Sequence, residues 1–190
     1  SKEKTSEYFI QEIYGQDISK YGYRATGDYI KYGKHVACYV DLKFFTQPRL
    51  LVREITNPTI IACLVDKPYL NDPQLLPIIS RENGNFSLTL LWGILNSKLA
   101  TFFHFNHSPK ATKGAFPKIL VQDLKEFPLP IINEIDRLKI ESIIVMLMKD
   151  KSEDMSLLDK MVYQLYNLTY DEVLIVDPWT PITREEYEKG

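Results

Sequence analysis

Cysteine, histidine and glycine are scarce in this chain, which has two, three and eight of them among 190 residues. Cys38 and Cys63 lie among apolar neighbours without a disulfide framework, so we expect buried free thiols in a cytoplasmic protein. His104 and His107 are spaced like two metal ligands on one helical face, but the sequence near them offers no third ligand. We therefore expect no metal site.

Long apolar runs and targeting signals are also missing. No stretch of about 18 apolar residues occurs, so we expect no contact with a membrane. Residues 1–10 are polar and charged, unlike a secretory signal. The chain begins with Ser1 rather than methionine, and we therefore expect it to be a piece of a longer protein.

Neither sign of charge is in large excess, because the formal net charge is −2. A chain this close to neutral is not expected to coat nucleic acid indiscriminately. The charges are unevenly distributed: residues 1–95 carry eleven bases and ten acids, residues 96–130 five lysines and two acids, and residues 131–190 seven bases and thirteen acids. The cationic middle part suits a module that contacts DNA with a small surface, although chance clustering also explains it.

The most informative stretch is residues 86–130. Leucines recur at steps of three and four after Ser87, a favourable N-cap, and predict one amphipathic helix over residues 87–105. Gly93 lowers the helical propensity inside it, which indicates that another backbone packs closely there. Pro109 disfavours helical geometry at the residue before it, so we expect the helix to end between residues 106 and 109.

A polar loop follows this helix and ends at Gly114. It contains amides, imidazoles, hydroxyls and lysines, all of which can bond to phosphate oxygens or base edges. A solvated surface loop is the alternative interpretation. Beyond the loop, we predict a short strand over residues 117–121 and a helical turn capped by Asp123.

The rest of the first 130 residues contains short strands. Residues 49–55, 59–65 and 75–80 are rich in Val, Ile and Leu and predict strands, the last at a sheet edge because Pro77 cannot donate a hydrogen bond. Residues 1–20 have the spacing of a helix. The fold class is therefore α+β: a small mixed or antiparallel sheet packed by the amphipathic helix and followed by a C-terminal helical segment.

Three helices are predicted in the C-terminal part. Apolar residues at steps of three and four support a helix of about 17 residues from Ile131 and a second helix over residues 158–165. Thr169 and Glu172 have the spacing of a capping box, which begins a short third helix. Residues 185–188 are predicted to form a frayed, solvated tail.

Four segments carry a family resemblance. They read Pro-Arg-Leu-Leu-Val-Arg-Glu-Ile from Pro48, Leu-Leu-Trp-Gly-Ile-Leu-Asn-Ser-Lys-Leu up to Leu99, Lys-Gly-Ala-Phe-Pro-Lys-Ile from Lys113, and Asp-Leu-Lys-Glu-Phe-Pro-Leu-Pro from Asp123. In this order they resemble the TaqI-like C-terminal specificity domain, the target-recognition part of type IIG restriction-modification enzymes and related adenine-N6 DNA methyltransferases. That family usually has lysine where this chain has Arg49.

The resemblance implies a domain organisation and a function. Residues 1–20 would be a helical connector from an absent catalytic domain, residues 21–130 the DNA target-recognition domain, and residues 131–190 helices that pack on or orient it. The function implied is sequence-specific recognition of double-stranded DNA for an adenine-specific methyltransferase domain in the same parent chain. S-adenosylmethionine is the cofactor expected of that parent, with magnesium if it also cleaves DNA, and none is expected of this fragment.

Signatures of catalysis are not found in the sequence. The segment Asn-Pro-Thr-Ile from Asn57 lacks the second proline and the aromatic residue of the polar-Pro-Pro-aromatic motif, and no Gly-rich cofactor loop follows a strand. Asp123 and Lys125 offer half of a nuclease centre, and capping explains Asp123 better. Two other functions stay open: a protein-interaction module that uses the acidic helices of residues 131–175, and a metal-dependent nuclease.

Ten residues are the candidate DNA contacts. We expect the lysines on phosphates, where they fix the register of the domain, and the loop amide and imidazole on base edges in the major groove. The arginines are expected on guanine or phosphate. The candidates are Arg49, Arg53, Arg81, Lys98, Asn106, His107, Ser108, Lys110, Lys113 and Lys118.

Overall fold

The computed structural model describes residues 1–4, 6, 8–36, 39–56, 58–81, 86–112, 116–151 and 154–189. Within these ranges the chain has the expected α+β architecture, with small sheets first and helices after them. The strands are β1 (Phe9–Ile13), β2 (Ile18–Ser19), β3 (Gly22–Tyr23), β4 (Tyr29–Lys31), β5 (Arg49–Arg53), β6 (Ala62–Val65), β7 (Leu70–Asn71) and β8 (Leu75–Ile79). The helices are α1 (Lys43–Thr46), α2 (Leu88–Leu95), α3 (Lys98–His107), α4 (Pro109–Thr112), α5 (Val121–Glu126), α6 (Glu134–Asp150), α7 (Ser156–Leu165), α8 (Tyr170–Val176) and α9 (Arg184–Glu188).

The central sheet has the strand order β6-β5-β8 and is antiparallel throughout. Leu51 in the middle strand lies opposite Cys63 on one side and Pro77 on the other. The three strands predicted here are therefore confirmed, with Pro77 in an edge strand. Cys63 is a buried free thiol, as predicted, and burial raises its pKa to about 12. Cys38 lies outside the described residues.

The two faces of β5 contribute to two hydrophobic cores. Leu50 and Val52 belong to the larger core, which residues of α2, α6 and α7 complete. Leu51 belongs to a smaller core that includes Ile13 of β1 and Ile18. Successive side chains of a strand point to opposite faces, so three consecutive buried apolar residues need a cover on each side. The sheet is therefore a middle layer between the helices and the β1 region.

Residues 9–13 form strand β1, so the helix predicted over residues 1–20 is wrong. β1 pairs with β4 in antiparallel and with β7 in parallel orientation. The buried Asp17 carboxylate closes the following turn by accepting from the Tyr14 and Thr26 N–H groups at 3.0 and 2.9 Å. Aromatic and β-branched residues favour a strand when partner strands are available, and these partners are distant in sequence. That residues 1–20 connect to another domain stays a prediction.

The helix predicted over residues 87–105 is divided into α2 and α3 at Asn96. Ser87 caps α2, as expected, and Ser97 caps α3 by accepting from the Ala100 N–H at 3.1 Å. The Asn96 side chain accepts from the Ala62 N–H at 3.1 Å and donates to the Ala62 carbonyl at 2.9 Å. The same amide donates to the Trp92 carbonyl at 2.9 Å, a local bond that competes with continued helix and that the Ala62 contacts hold in place.

Gly93 of α2 lies against α6, where a Cβ atom would be 2.5 Å from Cδ1 of Ile144 and 3.3 Å from Cδ1 of Leu158. The expected close approach therefore exists, but it involves side chains rather than a second backbone. Glycine allows α6 and α7 to pack closely on this part of α2.

The C-terminal helices follow the predictions except at the end of the chain. α6 has 17 residues, α7 covers the second predicted face, and Thr169 opens α8 with a capping box to Glu172. The expected frayed tail is wrong, because residues 184–188 form α9. Tyr187 is buried and its hydroxyl donates to the Leu168 carbonyl at 2.6 Å. One aromatic anchor in a small separate core thus orders the acidic tail.

Candidate nucleic-acid interface

Exposed side chains gather where α3 ends and where residues 116–118 return to the central sheet. α3 ends at His107, as predicted, because Ser108 is extended before Pro109. Pro109 then begins the single turn α4, since proline is well tolerated at the first position of a helix. The exposed and half-exposed residues of this surface, which we name the recognition rim, are Asn106, His107, Lys110, Phe116 and Lys118.

Backbone hydrogen bonds fix the rim to the end of strand β5. The Thr56 N–H donates to the Pro117 carbonyl at 3.0 Å. The Ile119 N–H donates to the Glu54 carbonyl at 2.8 Å. The segment that carries two rim residues is therefore held on the sheet without any ligand.

The strand predicted over residues 117–121 is reduced to one bridge, between Ile55 and Lys118. Its last residue, Val121, begins α5. Asp123 accepts from the Leu120 N–H at 2.7 Å and so caps this helix, as predicted. Asp123, the carboxylate of the suggested nuclease centre, is thus already used in a structural hydrogen bond.

A buried histidine anchors α3 beneath the rim. His104 is 2% exposed, and its Nε2 lies 3.1 Å from Oγ1 of Thr56. Burial lowers the pKa of His104, while the negative charge of Asp123 opposes the shift, so the ring is neutral near pH 7. This contact ties the helix that carries the rim to the end of β5.

Asn106 and His107 are exposed and held in defined orientations. The Nδ2 of Asn106 donates to the Phe102 carbonyl at 2.8 Å, which fixes the plane of the amide. The His107 ring stacks on Phe103 with ring centroids 4.8 Å apart and an interplanar angle of 21°. An amide and an imidazole fixed in this way have the chemistry that distinguishes base edges.

The two lysines of the rim differ in their charge environment. The Lys118 N–H donates to the Lys110 carbonyl at 3.2 Å, so their backbones are adjacent. The Nζ of Lys118 lies 3.2 Å from Oε2 of Glu54, which offsets its charge. Lys110 is exposed, and in the part of the chain that the structure describes no carboxylate pairs with it. Lys110 is therefore the stronger candidate for a phosphate contact.

Phe116 is the rim residue that the sequence interpretation missed. Its side chain is 64% exposed although it is aromatic. Apolar side chains at DNA interfaces contact thymine methyl groups or wedge between base steps. The available signal was an aromatic residue between Gly114 and Pro117 in a polar loop. Lys113 lies outside the described residues, so its contact with phosphate stays a prediction.

Arg49 is removed from the candidate contacts, because it is 0% exposed. Its guanidinium donates to three backbone carbonyls, those of residues 47, 67 and 69, at 2.9 to 3.2 Å. Two further bonds reach Oδ1 of Asn71, at 3.1 and 3.3 Å. All five guanidinium N–H donors are thus used inside the protein. Burial lowers the pKa of Arg49 to about 10, which still leaves it charged at neutral pH.

Arg53 and Ser108 are also directed inward. The Arg53 guanidinium donates to the carbonyls of Gly15 and Ile18, so it ties β5 to the β1–β2 connection instead of pointing away from the core. Ser108 is 5% exposed, and its Oγ is buried without a hydrogen-bond partner among the described residues. Ser108 is therefore not placed to meet DNA in this conformation, whereas Arg53 is half-buried and its contact with DNA stays a prediction.

Lys98 lies at the other end of α3, in a pocket of about 520 Å³ bordered by α3 and α7. Its Nζ is 2.6 Å from Oδ2 of Asp177, and its N–H donates to Oδ1 of Asp159 at 2.8 Å. Burial raises the pKa of Asp159 to about 6, although the bond from Lys98 opposes the shift. Lys98 therefore joins α3 to the C-terminal helices and is not part of the rim.

Arg81 is exposed but distant from the rim. It follows β8, in which Ile79 lies opposite Arg49, whereas Lys118 lies opposite Ile55. These two ends of β5 are about 20 Å apart at the rise of a strand. A contact from Arg81 to the DNA surface that the rim meets stays a prediction.

Two further properties follow from the described ranges. They contain no group of three or more His, Cys, Asp or Glu residues able to hold a metal ion. No helix within them is both long and apolar enough to cross a bilayer.

The sequence of the region just described matches a known family. Residues 10–129 match the TaqI-like C-terminal specificity domain, a span that includes the central sheet, α2 to α5 and the whole rim. A search among curated proteins gave no match. The matched span is well over half of the 190 residues. The chain belongs to the family of TaqI-like C-terminal specificity domains, whose role in restriction-modification is DNA recognition.

Proposed function

We propose that this chain recognises a specific sequence in double-stranded DNA and directs an adenine-N6 methyltransferase to it. The observation that carries the proposal is the recognition rim, where an amide, an imidazole and a lysine without a carboxylate partner among the described residues are exposed together on a rigid support. Sites built on helices and strands hold side chains more accurately than mobile loops do. The family to which the chain belongs supports the same role.

In the proposed mechanism the end of α3 faces the major groove. Asn106 and His107 contact base edges, and the neighbouring Lys110 and Lys118 contact phosphates beside them. Phe116 supplies an apolar contact to the same groove. The methyltransferase domain, in the same cytoplasmic parent chain, binds S-adenosylmethionine and takes the target base out of the helix. The fragment itself contributes recognition and no catalysis.

The first test uses the 190-residue chain and a library of random DNA duplexes. We expect selection and sequencing to enrich one recognition sequence. Asn106→Ala and His107→Ala should then change or relax individual positions of that sequence, because a base contact carries about 1–3 kcal/mol of discrimination. Lack of enrichment by the wild-type chain, or an enriched sequence that no rim variant alters, would contradict the proposal.

The second test separates phosphate contacts from base contacts. Lys110→Ala should weaken binding to all sequences alike and reduce the slope of log affinity against log salt by about one. Lys67→Ala is the matched control, because Lys67 is also exposed but lies beyond the opposite end of β5. Lys113→Ala should behave like Lys110→Ala. Equal slopes for Lys110→Ala and Lys67→Ala would remove Lys110 from the interface.

A further inference from the structure

Helix α6 is apolar on two opposite sides. Its inner side, with Ile140, Ile144 and Leu147, is buried in the larger core. Its outer side is turned to solvent, and positions at alternating steps of three and four from Ile135 carry three apolar residues, a serine and a lysine; Ile131 precedes the helix. We name this side the outer stripe; it consists of Ile131, Ile135, Leu138, Ser142, Val145 and Lys149.

The exposure of the outer stripe is unusually large for apolar side chains. Ile131 is fully exposed, and Ile135, Leu138 and Val145 are exposed by 68%, 55% and 41%. Met146 beside them is exposed by 46%. A surface helix of a monomer normally keeps its solvent side polar, and a continuous apolar patch marks an interaction site.

The spacing of the stripe is that of a two-stranded coiled coil. Steps of four and three place Ile135 at an a position and Leu138 at a d position, the combination that favours two helices. Ser142 and Lys149 then occupy the remaining a positions. Polar residues at a positions lower the stability of a coiled coil but fix its register and the number of its strands.

The charges beside the stripe distinguish between partner orientations. Glu134 takes a g position and Lys139 an e position, and their side chains are 79% and 71% exposed. In a parallel pair of α6 helices, Glu134 of one copy faces Lys139 of the other, five residues further along. In an antiparallel pair, g positions face g positions and e positions face e positions, so each of these side chains would face a charge of the same sign.

Nothing in the present contacts of these two residues opposes such pairing. Glu134 and Lys139 each have one ion pair within the helix, to Arg137 and Asp136, and both ion pairs have a separation of 3.8 Å. Exposed pairs of this kind contribute little to stability. The whole helix carries four acids and three bases, so two copies would not repel strongly.

We propose that the chain forms a two-fold symmetric dimer in which the outer stripes of two α6 helices pair in parallel. The occupant of the stripe is a second copy, because the residue pattern and the Glu134–Lys139 charges complement themselves in that orientation. This inference is independent of DNA recognition. α6 is only about 26 Å long at the rise of a helix, so the interface is small and half of the chains should be paired at about 10–100 µM.

Sedimentation equilibrium of the full 190-residue chain tests the dimer. We expect the average mass to rise toward that of two chains over this concentration range. Ile135→Glu should abolish the rise, because it places a charge at the centre of each pairing surface. Ile175→Glu is the matched control: Ile175 is 65% exposed on α8 and should leave the dimer intact. A wild-type chain that stays monomeric, or a dimer that Ile135→Glu does not affect, would overturn the proposal.

Charge reversal and cross-linking test the orientation with variants that leave the inner side of α6 unchanged. Glu134→Lys and Lys139→Glu should each weaken the dimer about tenfold or less, and the double variant should restore it. Ile135→Cys should form an intermolecular disulfide under mild oxidation, because equivalent a positions meet in a parallel pair. Ile175→Cys and the wild-type chain are the controls. A dimer in which Ile135→Cys does not cross-link faster than Ile175→Cys is not parallel, and the proposal would then be wrong.

Discussion

Arg49 at the first end of strand β5 and the rim lysines beyond its other end have opposite environments. At the first end Arg49 is completely buried and uses five hydrogen-bond donors inside the protein. At the other end Lys118 and the neighbouring Lys110 are on the surface, and one of them has no carboxylate partner among the described residues. The two ends of α3 show the same contrast, because Lys98 at its start is paired with Asp177 whereas Lys110 follows its exposed end.

The contrast shows that charge sign alone does not identify a DNA contact. Arg49 remains buried because three carbonyls and one amide oxygen converge on a planar group with five donors, which an ammonium group could not satisfy equally well. The rim lysines are near fewer acceptors, so water or a ligand completes their hydrogen bonding. Buried cations here stabilise the fold, and those on the rim are available for a partner.

The largest expected effect is at the buried end. Arg49→Leu should lower the free energy of unfolding by about 3 kcal/mol, because it leaves several buried carbonyls unpaired. The stability of Arg49→Lys should lie between those of the wild type and Arg49→Leu, because lysine keeps the positive charge but has fewer hydrogen-bond donors. Urea denaturation measures both, with Lys67→Ala as the control. If Arg49→Leu is as stable as the wild type but has a reduced salt slope for DNA, Arg49 belongs to the interface after all.

The next effect concerns pH and the carboxylate beside Lys98. The pKa of Asp159 is raised to about 6 in the folded protein, above its value in the unfolded chain. Folding therefore favours the protonated carboxyl, and this contribution to the free energy of unfolding is complete below about pH 4 and is lost as pH rises through 6. Asp159→Asn should therefore be more stable than the wild type at pH 7.5, by about 1–3 kcal/mol, and nearly equal at pH 4. Thermal unfolding across this range measures the difference, and parallel curves for both proteins would contradict the assignment.

A smaller effect is expected at the anchor of the rim. Thr56→Val should cost about 1 kcal/mol, because it removes the hydroxyl bonded to buried His104. Hydrogen exchange should then become faster at the end of α3 while β6 stays protected. Thr59→Val, at a half-buried position on the same connection, is the control. Uniformly faster exchange would show that Thr56 stabilises the whole fold rather than the rim.

The smallest effect tests the charge balance of the rim itself. Glu54→Gln should free Lys118 from its ion pair and raise DNA affinity about two- to fivefold at low salt. Glu134→Gln, at an exposed position of α6, should leave the affinity unchanged. Titration of a labelled duplex at two salt concentrations measures the gain. An unchanged affinity for Glu54→Gln would place Lys118 outside the contact surface.

The elements predicted correctly have local signals. Ser87, Thr169 and the proline at residue 109 mark helix ends through bonds or clashes within a few residues. The strands β5, β6 and β8 are short runs rich in Val, Ile and Leu, a composition typical of strands. The exposed end of α3 was placed correctly for the same reason, because its boundary depends on neighbouring residues alone.

The elements predicted wrongly depend on partners far along the chain. β1 needs the distant strand β7, and the break at Asn96 needs the edge of β6. The burial of Arg49 depends on carbonyls about twenty residues away, which no local pattern indicates. Tyr187 orders the tail through Leu168 in the same way. Tertiary pairing overrides local preference at each of these positions.

The two hydrogen bonds between the Asn96 side chain and the Ala62 backbone affect how readily the protein aggregates. A three-stranded sheet has two open margins, each of which could recruit a strand from another molecule. At one margin the amide of Asn96 occupies the donor and acceptor of Ala62, and at the other Pro77 removes a donor. Both edges are therefore protected against adding a strand from a second molecule, and Asn96→Ala should aggregate sooner than the wild type on prolonged warming.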